Sequence, residues 1–198
     1  MDLKRFIDIV GSSLGLLLLL PVFILIAILV AISSKGPVFF KQCRVGLNMV
    51  DFHLIKFRTM YVSTNNKSLL TIGSNDSRVT KVGYYLRKYK LDELPQLINV
   101  LRGEMSLVGP RPEVRKYVNL YDDQQRYVLS VKPGITDWAS VEFFNESELL
   151  AQAEDPESYY IQHIIPIKIT HNLKYVAKNS IYTDLKIIWM TFNKIITH

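Results

Sequence analysis

Two adjacent carboxylates, Asp92 and Glu93, occur in the run "KLDELPQL" and are the first candidates for chemistry. One interpretation is structural: Asp92 caps a helix and Glu93 occupies its first turn, where the helix dipole favours acidic side chains. The other is functional, because partial positive charge at a helix N-terminus keeps a carboxylate ionised and therefore nucleophilic. The two interpretations are compatible, and the pair alone does not decide between them.

Several arginines near this acid pair are candidates for binding phosphate. Arg111 lies between two prolines in "SLVGPRPEVRK", which present its guanidinium from a stiff backbone. The planar guanidinium matches phosphate oxygens bidentately, although a solvated arginine in a turn is the alternative. Arg58, Arg78 and Arg87 lie in polar stretches that lead to the acid pair. Neither glycine-rich phosphate-binding motif occurs, so arginines and a metal ion would have to hold a phosphate.

The longest apolar segment, from Leu14 to Ile32, contains 19 residues without a charge. A straight helix of this length would measure roughly 28 Å, close to the ~30 Å of a hydrocarbon core. Both flanks are basic, with Lys4 and Arg5 before the segment and Lys35 after it. Because positive charge marks the cytoplasmic side, a single-pass helix should be basic on one flank only. A bent, re-entrant helix pair interrupted near Pro21 is therefore favoured over a simple span.

Composition limits the classes of partner. The 198 residues carry 24 Lys and Arg against 18 Asp and Glu, a net charge of +6. This charge suits nucleic acid or anionic lipid and phosphate, and the apolar segment favours the second choice and no nucleic acid. The single cysteine, Cys43, excludes an intrachain disulfide and fits a reducing environment. We divide the chain into a membrane helix-break-helix over residues 1–36 and a cytoplasmic catalytic domain over residues 37–198.

Local patterns predict the elements that would position the acid pair. Two β-rich runs around Gly46–Asn48 predict a hairpin. The run "TKVGYYLRKY" predicts an amphipathic basic helix, suited to a membrane surface or to a domain core. A second helix is predicted over residues 92–103, with Gly103 as its stop, and a third over residues 183–197, either packed on the core or resting in the membrane interface. Three further segments are interpreted as a loop (64–77), a turn (131–138) and a broken helix (146–165).

Longer motifs resemble a known family. The block from Arg78 to Glu113, "RVTKVGYYLRKYKLDELPQLINVLRGEMSLVGPRPE", is similar to the bacterial sugar transferases, the small monotopic phosphoglycosyl transferases. The resemblance extends to "KRFIDIVGSSLGLLLLLP", "GPVFFKQCRVG", "FHLIKFRTM", "VKPGIT" and "YVAKNSIYTDLKII", so it covers nearly the whole chain. The fold expected from residues and resemblance together is α+β and mostly helical. It has a re-entrant membrane helix broken at a proline, a small β-hairpin and amphipathic interfacial helices around the catalytic domain.

The resemblance implies a reaction and a set of site residues. Asp92 matches a nucleophile that attacks the β-phosphate of a UDP-sugar, releases UMP and becomes a covalent aspartyl phosphosugar. A polyprenyl phosphate, the undecaprenyl phosphate of bacteria, then accepts the phosphosugar in the first membrane step of glycoconjugate assembly. Glu93 matches the partner acid, and Mg²⁺ is implied at Asp92. The positions that match groups around the nucleotide and phosphates are Arg87, Arg111, Pro112 and Glu113.

The resemblance also concerns the membrane. Lys4, Arg5 and Asp8 match a cluster at the membrane edge, where Asp8 lies one turn after Lys4 and can pair with it. Family members break their re-entrant helix at a proline, here at Leu20–Pro21, and act at the cytoplasmic face of the bacterial plasma membrane. Membrane lipid is therefore an expected partner, and the sequence allows a homodimer.

Two departures from the family pattern bear on the details. Leu20 replaces a frequent serine, so that no local hydroxyl serves the carbonyl freed by Pro21. The run "EFFN" over residues 142–145 replaces a frequent Gly-Arg-Asn, and Asp137 stands where glycine is common, so the donor need not carry a common hexose. The alternative to an enzyme is a bitopic membrane anchor with a small binding domain, in which Asp92 would be dispensable.

Overall fold

A computed structural model of the chain describes residues 2–62, 70–73 and 76–197, and the predicted loop over residues 64–77 lies largely outside these ranges. The fold is mainly helical with two small sheets, which confirms the predicted α+β class. The strands are β1 (Phe39–Val45), β2 (Asp51–Phe57), β3 (Ser106–Val108) and β4 (Gly134–Thr136). The helices are α1 (Leu3–Leu18), α2 (Leu20–Ser33), α3 (Lys81–Lys88), α4 (Gln96–Arg102), α5 (Arg115–Val118), α6 (Trp138–Glu142), α7 (Glu146–Ala151), α8 (Pro156–Tyr159), α9 (Ile165–Ala177) and α10 (Ile181–Thr197).

The first sheet is the predicted antiparallel hairpin of β1 and β2. Its connection includes Asn48 at φ 53°, a left-handed conformation that asparagine tolerates better than most residues. Phe52 and Leu54 of β2 are buried and pack in one cluster with Val100 of α4. The hairpin is therefore fixed to the helix that follows the acid pair.

The second sheet joins β3 and β4 in parallel, with Val108 opposite Thr136. A Cβ atom on Gly134 would lie 2.0 Å from the backbone nitrogen of Gly109, so the two segments approach more closely than a side chain would permit. The prediction of a turn over residues 131–138 is wrong for the residues of β4. The pairing partner is distant in sequence, and strands this short leave no periodic pattern.

Helices α1 and α2 form a bent pair with an angle of 63° between them. The break lies at Leu19, one residue before the expected Leu20–Pro21, because Pro21 fits the first turn of α2, where its missing N–H is not needed. Among the helices of the described ranges, none is by itself long and apolar enough to cross a bilayer, whereas this pair meets that criterion jointly. Large apolar side chains are exposed along both helices, namely Leu3, Phe6, Leu14, Leu17, Leu18, Leu20, Ile24, Leu25, Ile28 and Ile32.

Helix α1 is attached to the rest of the protein by polar contacts. The buried carboxylate of Asp8 accepts hydrogen bonds from Ser106 Oγ at 3.0 Å and from the backbone N–H of Leu107 at 2.9 Å. Arg5 donates to the carbonyl of Leu101 at 2.9 Å, near the C-terminus of α4, where the helix dipole favours a cation. Arg5 and Asp8 of the predicted membrane-edge cluster therefore contact α4 and β3 directly.

Lys4 connects α1 to the C-terminal helix. Its Nζ forms an ion pair with Asp184 of α10 and donates to the carbonyl of Val108 and to the hydroxyl of Tyr175, each at 3.1 Å. The expected pair between Lys4 and Asp8 is wrong. Both side chains bond to elements that pack on α1, and these tertiary contacts replace the local one.

The acid pair lies in a single turn of 3₁₀-helix, Leu91–Glu93, between α3 and α4. Lys90 precedes this turn in the left-handed conformation, at φ 55° and ψ 19°. Asp92 therefore lies within the turn, and its side chain caps no helix, so the capping interpretation is wrong. Helix α4 ends at Gly103 in the left-handed conformation, at φ 84°, which confirms the predicted stop.

The C-terminal half is a sequence of short helices followed by two long ones. Helices α7 and α8 and a π-helical turn over Tyr160–Ile164 confirm the predicted broken helix. The predicted C-terminal helix is confirmed as α10. Within α10 Ile187 is fully buried, whereas the side chains of Trp189 and Phe192 are exposed, so most of its apolar face is not packed on the core.

Replacing Asp8 tests the attachment of α1. We expect Asp8→Ala to lower the free energy of unfolding by about 1–3 kcal/mol, because it leaves the Ser106 hydroxyl and the Leu107 N–H without an acceptor. Asp2→Ala is the matched control, since Asp2 is exposed on the same helix and forms no capping hydrogen bond. Thermal unfolding in detergent micelles measures both. Equal effects of the two substitutions would contradict a structural role for Asp8.

Candidate active site

A cavity of about 610 Å³ lies beside the acid pair, a volume in the range of roughly 300–1,000 Å³ that is usual for small-molecule sites. Its walls come from the hairpin, from α3 and the turn after it, from the loop between β3 and α5, and from helices α6, α7 and α9. The charged residues that line it are Arg44, Lys56, Arg87, Lys88, Lys90, Asp92, Glu93, Arg111, Glu113, Asp137, Glu146, Glu148 and Lys168.

Glu93 is held by two cations. Arg111 binds it through both Nη atoms, with Nη1 at 3.0 Å from Oε2, and Lys56 Nζ donates to Oε1 at 2.9 Å. Burial raises the pKa of Glu93, but the charges of Arg111 and Lys56 outweigh burial and leave this pKa well below its ordinary value. Glu93 is therefore an ionised carboxylate whose oxygens are already occupied.

Asp92 faces the same cavity without such partners. The residue is 6% exposed, and no donor in the described ranges bonds its carboxylate. Burial raises the pKa of Asp92 above its ordinary value; Lys56 opposes this shift and Glu93 adds to it. The two adjacent acids thus differ sharply: Glu93 is saturated by protein cations, whereas the oxygens of Asp92 are available to a ligand.

The backbone of Arg111 is fixed by the neighbouring Asp137. The Arg111 N–H donates to Asp137 Oδ2 at 3.1 Å, while Asp137 Oδ1 caps α6 by accepting from the Ser140 N–H at 2.6 Å. Asp137 is fully buried. The residue found where glycine is common in the family therefore links the loop that carries Arg111 to the start of α6.

Arg87 lies in the last turn of α3 and lines the same cavity. Its Nη2 donates to Thr71 Oγ1 at 2.7 Å, and its Nη1 is buried without a hydrogen-bond partner in the described part of the chain. Burial lowers the pKa of Arg87, and the charge of Asp92 opposes that shift. A buried guanidinium N–H that lines a cavity and lacks a partner is a position for an anionic ligand.

Glu113 and Pro112 belong to the wall of the cavity. Arg44 Nη1 donates to Glu113 Oε1 at 2.9 Å and to the Pro112 carbonyl at 3.1 Å, and the Tyr160 hydroxyl donates to Glu113 Oε2. Burial raises the pKa of Tyr160 well above its ordinary value, and the charge of Glu113 adds to the shift, so the phenol stays protonated as a donor. These contacts tie β1, the Arg111 loop and the segment before α9 together.

Two of the predicted phosphate-binding arginines are not brought to the cavity. Arg58 is buried and donates to backbone carbonyls around the end of α2, at 3.1 Å to Val30 and 2.6 Å to Ser34. It satisfies carbonyls that a helix C-terminus leaves free. Arg78 binds Asp76, with Nε at 2.9 Å from Oδ1, and is not among the residues that line the cavity.

The end of the cavity formed by α6, α7 and α9 is lined by further polar groups. Ser140 Oγ and Asn172 Oδ1 are buried without a partner among the described residues, and Lys168 forms an ion pair with Glu146. The "EFFN" segment lies here too, because its last three residues line the cavity. This end is suited to a polar ligand group that supplies the missing hydrogen bonds.

Several of these lining residues were missed by sequence reasoning. Lys56 left a signal, because strand alternation places it in the inward row with Phe52 and Leu54, where a charge is unusual. Lys168 and Asn172 lie four residues apart, on one face of α9. Neither pattern identifies a ligand, since a polar residue within an apolar row is equally compatible with an ion pair.

The donor set around Asp92 suits a hydrated Mg²⁺. No group of three or more His, Cys, Asp or Glu side chains converges anywhere in the described ranges, so a complete protein cage is not formed there. Mg²⁺ is usually held by one or two carboxylates together with waters and substrate phosphates. Asp92 offers such a carboxylate, whereas Glu93 is occupied by Arg111 and Lys56.

An available carboxylate that faces several cations in a cavity of this size is chemically suited to binding and transferring a phosphoryl group. Comparison with known proteins identifies the family. A family model described as bacterial sugar transferase matches residues 1–198. The chain belongs to the bacterial sugar transferase family, as the resemblance predicted.

Individual relatives cover nearly all of this chain. A UDP-glucose:undecaprenyl-phosphate glucose-1-phosphate transferase of Escherichia coli is 41% identical over 97% of this chain and 40% of its own length. A UDP-N-acetylgalactosamine-undecaprenyl-phosphate N-acetylgalactosaminephosphotransferase of Aeromonas hydrophila is 36% identical over 98% of this chain and 44% of its own length. The uncharacterized sugar transferase EpsL of Bacillus subtilis is 39% identical over 99% of this chain and 88% of its own length. The chain thus spans about two fifths of the first two relatives.

Substitutions of the acid pair should change stability in opposite directions. At pH 7 we expect Asp92→Asn to raise the free energy of unfolding by about 0.5–2 kcal/mol, because it removes an uncompensated buried charge. We expect Glu93→Gln to lower it by about 2 kcal/mol, because Arg111 and Lys56 lose their carboxylate. Thermal unfolding in detergent without nucleotide measures both.

The pH dependence follows from the two shifted pKa values. The pKa of Asp92 is raised, so its ionisation weakens the fold, and the gain from Asp92→Asn should vanish as acidification protonates the wild-type carboxyl. The pKa of Glu93 is lowered, so it stabilises the fold above the unfolded value of about 4.3, and the loss from Glu93→Gln should shrink below that pH. Stability changes of the same sign would contradict the unequal pairing of the two acids.

Proposed function

We propose that the chain is a phosphoglycosyl transferase that moves a phosphosugar from a UDP-sugar to undecaprenyl phosphate and releases UMP. The observation that carries the proposal is Asp92, a buried carboxylate without a donor among the described residues, which faces a cation-lined cavity in a member of the bacterial sugar transferase family. The activities named for the Escherichia coli and Aeromonas hydrophila relatives support this class of donor and acceptor. The same names associate such enzymes with a membrane lipid.

In the first step, an Asp92 carboxylate oxygen attacks the β-phosphorus of the UDP-sugar. The bond between this phosphorus and the bridging oxygen breaks, and UMP leaves with that oxygen and its electron pair. The product is an aspartyl phosphosugar. Glu93 stays ionised between Arg111 and Lys56, which keeps both cations beside the reacting phosphate without neutralising Asp92.

In the second step, a phosphate oxygen of undecaprenyl phosphate attacks the same phosphorus. The bond to Asp92 breaks, and the carboxylate is regenerated as polyprenyl diphosphate sugar forms. No net proton is transferred in either step. Arg87 and Arg111 bind phosphate oxygens, and the polar end near Ser140 and Asn172 accommodates the glycosyl group.

We assign Mg²⁺ as the cofactor of this site. Asp92 is the protein residue that would hold it, together with oxygens of the diphosphate. When bound, the ion reduces the repulsion between the anionic carboxylate and the anionic donor. Arg87 and Lys90 also line the cavity and lower the negative potential from the protein side.

We further propose that α1 and α2 enter the membrane and return to the cytoplasmic face of the plasma membrane. The bend of 63°, the exposed apolar side chains on both helices and the basic flanks support this re-entrant arrangement of residues 1–36. The exposed apolar face of α10 would lie in the same membrane interface. The ion pair between Lys4 of α1 and Asp184 of α10 holds α10 beside α1. Residues 37–198 then form the cytoplasmic catalytic domain, within reach of a lipid phosphate and a soluble nucleotide.

Turnover tests the assignment of Asp92. Incubation of purified protein with Mg²⁺ and a panel of UDP-sugars should yield UMP in excess of enzyme only when undecaprenyl phosphate is added. Without the lipid, intact-protein mass spectrometry should show an adduct of one phosphosugar. Asp92→Asn should abolish both, whereas Asp123→Asn, a fully exposed control far along the chain, should retain them. Wild-type turnover by Asp92→Asn would exclude it as the nucleophile.

Cysteine labelling tests the membrane arrangement. With the native Cys43 replaced by serine, single cysteines introduced as Asp2→Cys and Lys35→Cys should both be protected from an impermeant maleimide in intact cells. Both should react in inverted vesicles, because a re-entrant pair keeps its two ends in the cytoplasm. Opposite accessibility of the two positions would instead indicate a bitopic anchor.

A further inference from the structure

Lys90 has a backbone conformation that its side chain does not favour. It lies at φ 55° and ψ 19°, between the end of α3 and the turn that carries Asp92. Glycine and asparagine are the residues that usually adopt this conformation after a helix, because a Cβ atom crowds the backbone there. A lysine at this position is locally unfavourable, so its side chain is the feature that needs an explanation.

The ammonium group of Lys90 lines the cavity without an acidic partner. In the described part of the chain no carboxylate lies within ion-pair distance of Nζ. The Nζ group donates a long hydrogen bond to the Phe144 carbonyl, at 3.5 Å. Among the other cations that line the cavity, Lys56 and Arg111 bind Glu93, and Arg87 binds Thr71 through Nη2 while its Nη1 has no partner among the described residues. A half-buried ammonium without an ion-pair partner among the described residues is a position for an anion.

The side chain of Lys90 is also held in place. Its Nζ lies 4.7 Å from the centroid of the Phe144 ring, in the segment between α6 and α7 that lines the same cavity. A cation over an aromatic face is attracted by the ring and loses rotational freedom. The backbone conformation of Lys90 and its contact with the Phe144 ring together restrict the position of its ammonium group in the cavity.

We propose that Lys90 binds the phosphoryl group that Asp92 attacks, and so positions the donor for transfer. The proposal rests on the proposed function. Lys90 directly precedes the turn that carries Asp92, and both residues line one cavity with Glu93 and Arg111.

Equilibrium binding of UDP and UMP separates this contact from others. UDP carries the second phosphoryl group and UMP does not, so only UDP reports on Lys90. We expect Lys90→Asn to raise the Kd of UDP about tenfold, as measured by isothermal titration in detergent with Mg²⁺, and to change the Kd of UMP by less than about twofold. Asparagine tolerates the left-handed conformation, so this substitution removes the ammonium group without adding backbone strain.

Two further variants and a stability measurement exclude a purely structural effect. Lys90→Arg should stay near wild type in UDP affinity, whereas Lys90→Gly should match Lys90→Asn. The melting temperatures of the asparagine and glycine variants should be unchanged or higher, because backbone strain is relieved. Weaker binding in a protein that is at least as stable supports a ligand contact.

Other outcomes would overturn the proposal. Unchanged UDP affinity in Lys90→Asn would exclude the phosphoryl contact, and equal weakening of UDP and UMP would indicate a general electrostatic effect. If Lys90→Asn left UDP affinity unchanged but bound UDP-glucuronate more weakly relative to UDP-glucose, that result would show that Lys90 contacts a carboxylate on the sugar instead of the phosphoryl group. Wild-type protein that binds UDP but releases no UMP from any UDP-sugar would contradict the proposed reaction and leave the Lys90 comparison valid.

Discussion

The unequal sharing of cations between two adjacent carboxylates is the constraint on which the site depends. Arg111 and Lys56 both bind Glu93, and this pairing keeps Glu93 charged and immobile. Asp92 is left buried without a donor among the described residues. Had the cations been shared equally, protein groups would have neutralised the Asp92 carboxylate and blocked its oxygens. Glu93 therefore keeps Arg111 and Lys56 near Asp92 and leaves the oxygens of Asp92 open to a ligand.

Strand β3 connects this arrangement to α1, the first helix of the bent apolar pair. Its first residues donate hydrogen bonds to Asp8 of α1, and the carbonyl of its last residue, Val108, accepts from Lys4. The chain then passes through Gly109, where it approaches β4 closely, and reaches Arg111. The same short strand thus holds α1 on one side and leads to the guanidinium that pairs with Glu93. The distance between the apolar helix pair and the acid pair is consequently set by β3.

Local patterns predicted the elements, whereas tertiary contacts decided the roles of the charged residues. The hairpin, the stop at Gly103 and helix α10 follow from periodicity and from residues with special backbone preferences. Arg58 and Arg111 are the same residue type in similarly polar stretches, yet one satisfies carbonyls at the end of α2 and the other binds Glu93. No local pattern separates them, because their partners are distant in sequence. The parallel pairing of β3 with β4 escaped prediction for the same reason.

Several unfavourable local features line the cavity. Arg87, Ser140 and Asn172 each present a buried polar atom without a partner among the described residues, the carboxylate of Asp92 is buried without a donor among them, and Lys90 adopts a strained backbone conformation. Each feature lowers stability on its own, and the packed remainder of the fold must offset the sum. A sugar nucleotide with a diphosphate carries phosphate oxygens that can accept from Arg87 and Lys90. Its sugar hydroxyls can bond to the Asn172 amide and to the Ser140 hydroxyl. These separate defects are therefore complementary to one ligand, which makes a shared functional origin more economical than five unrelated imperfections.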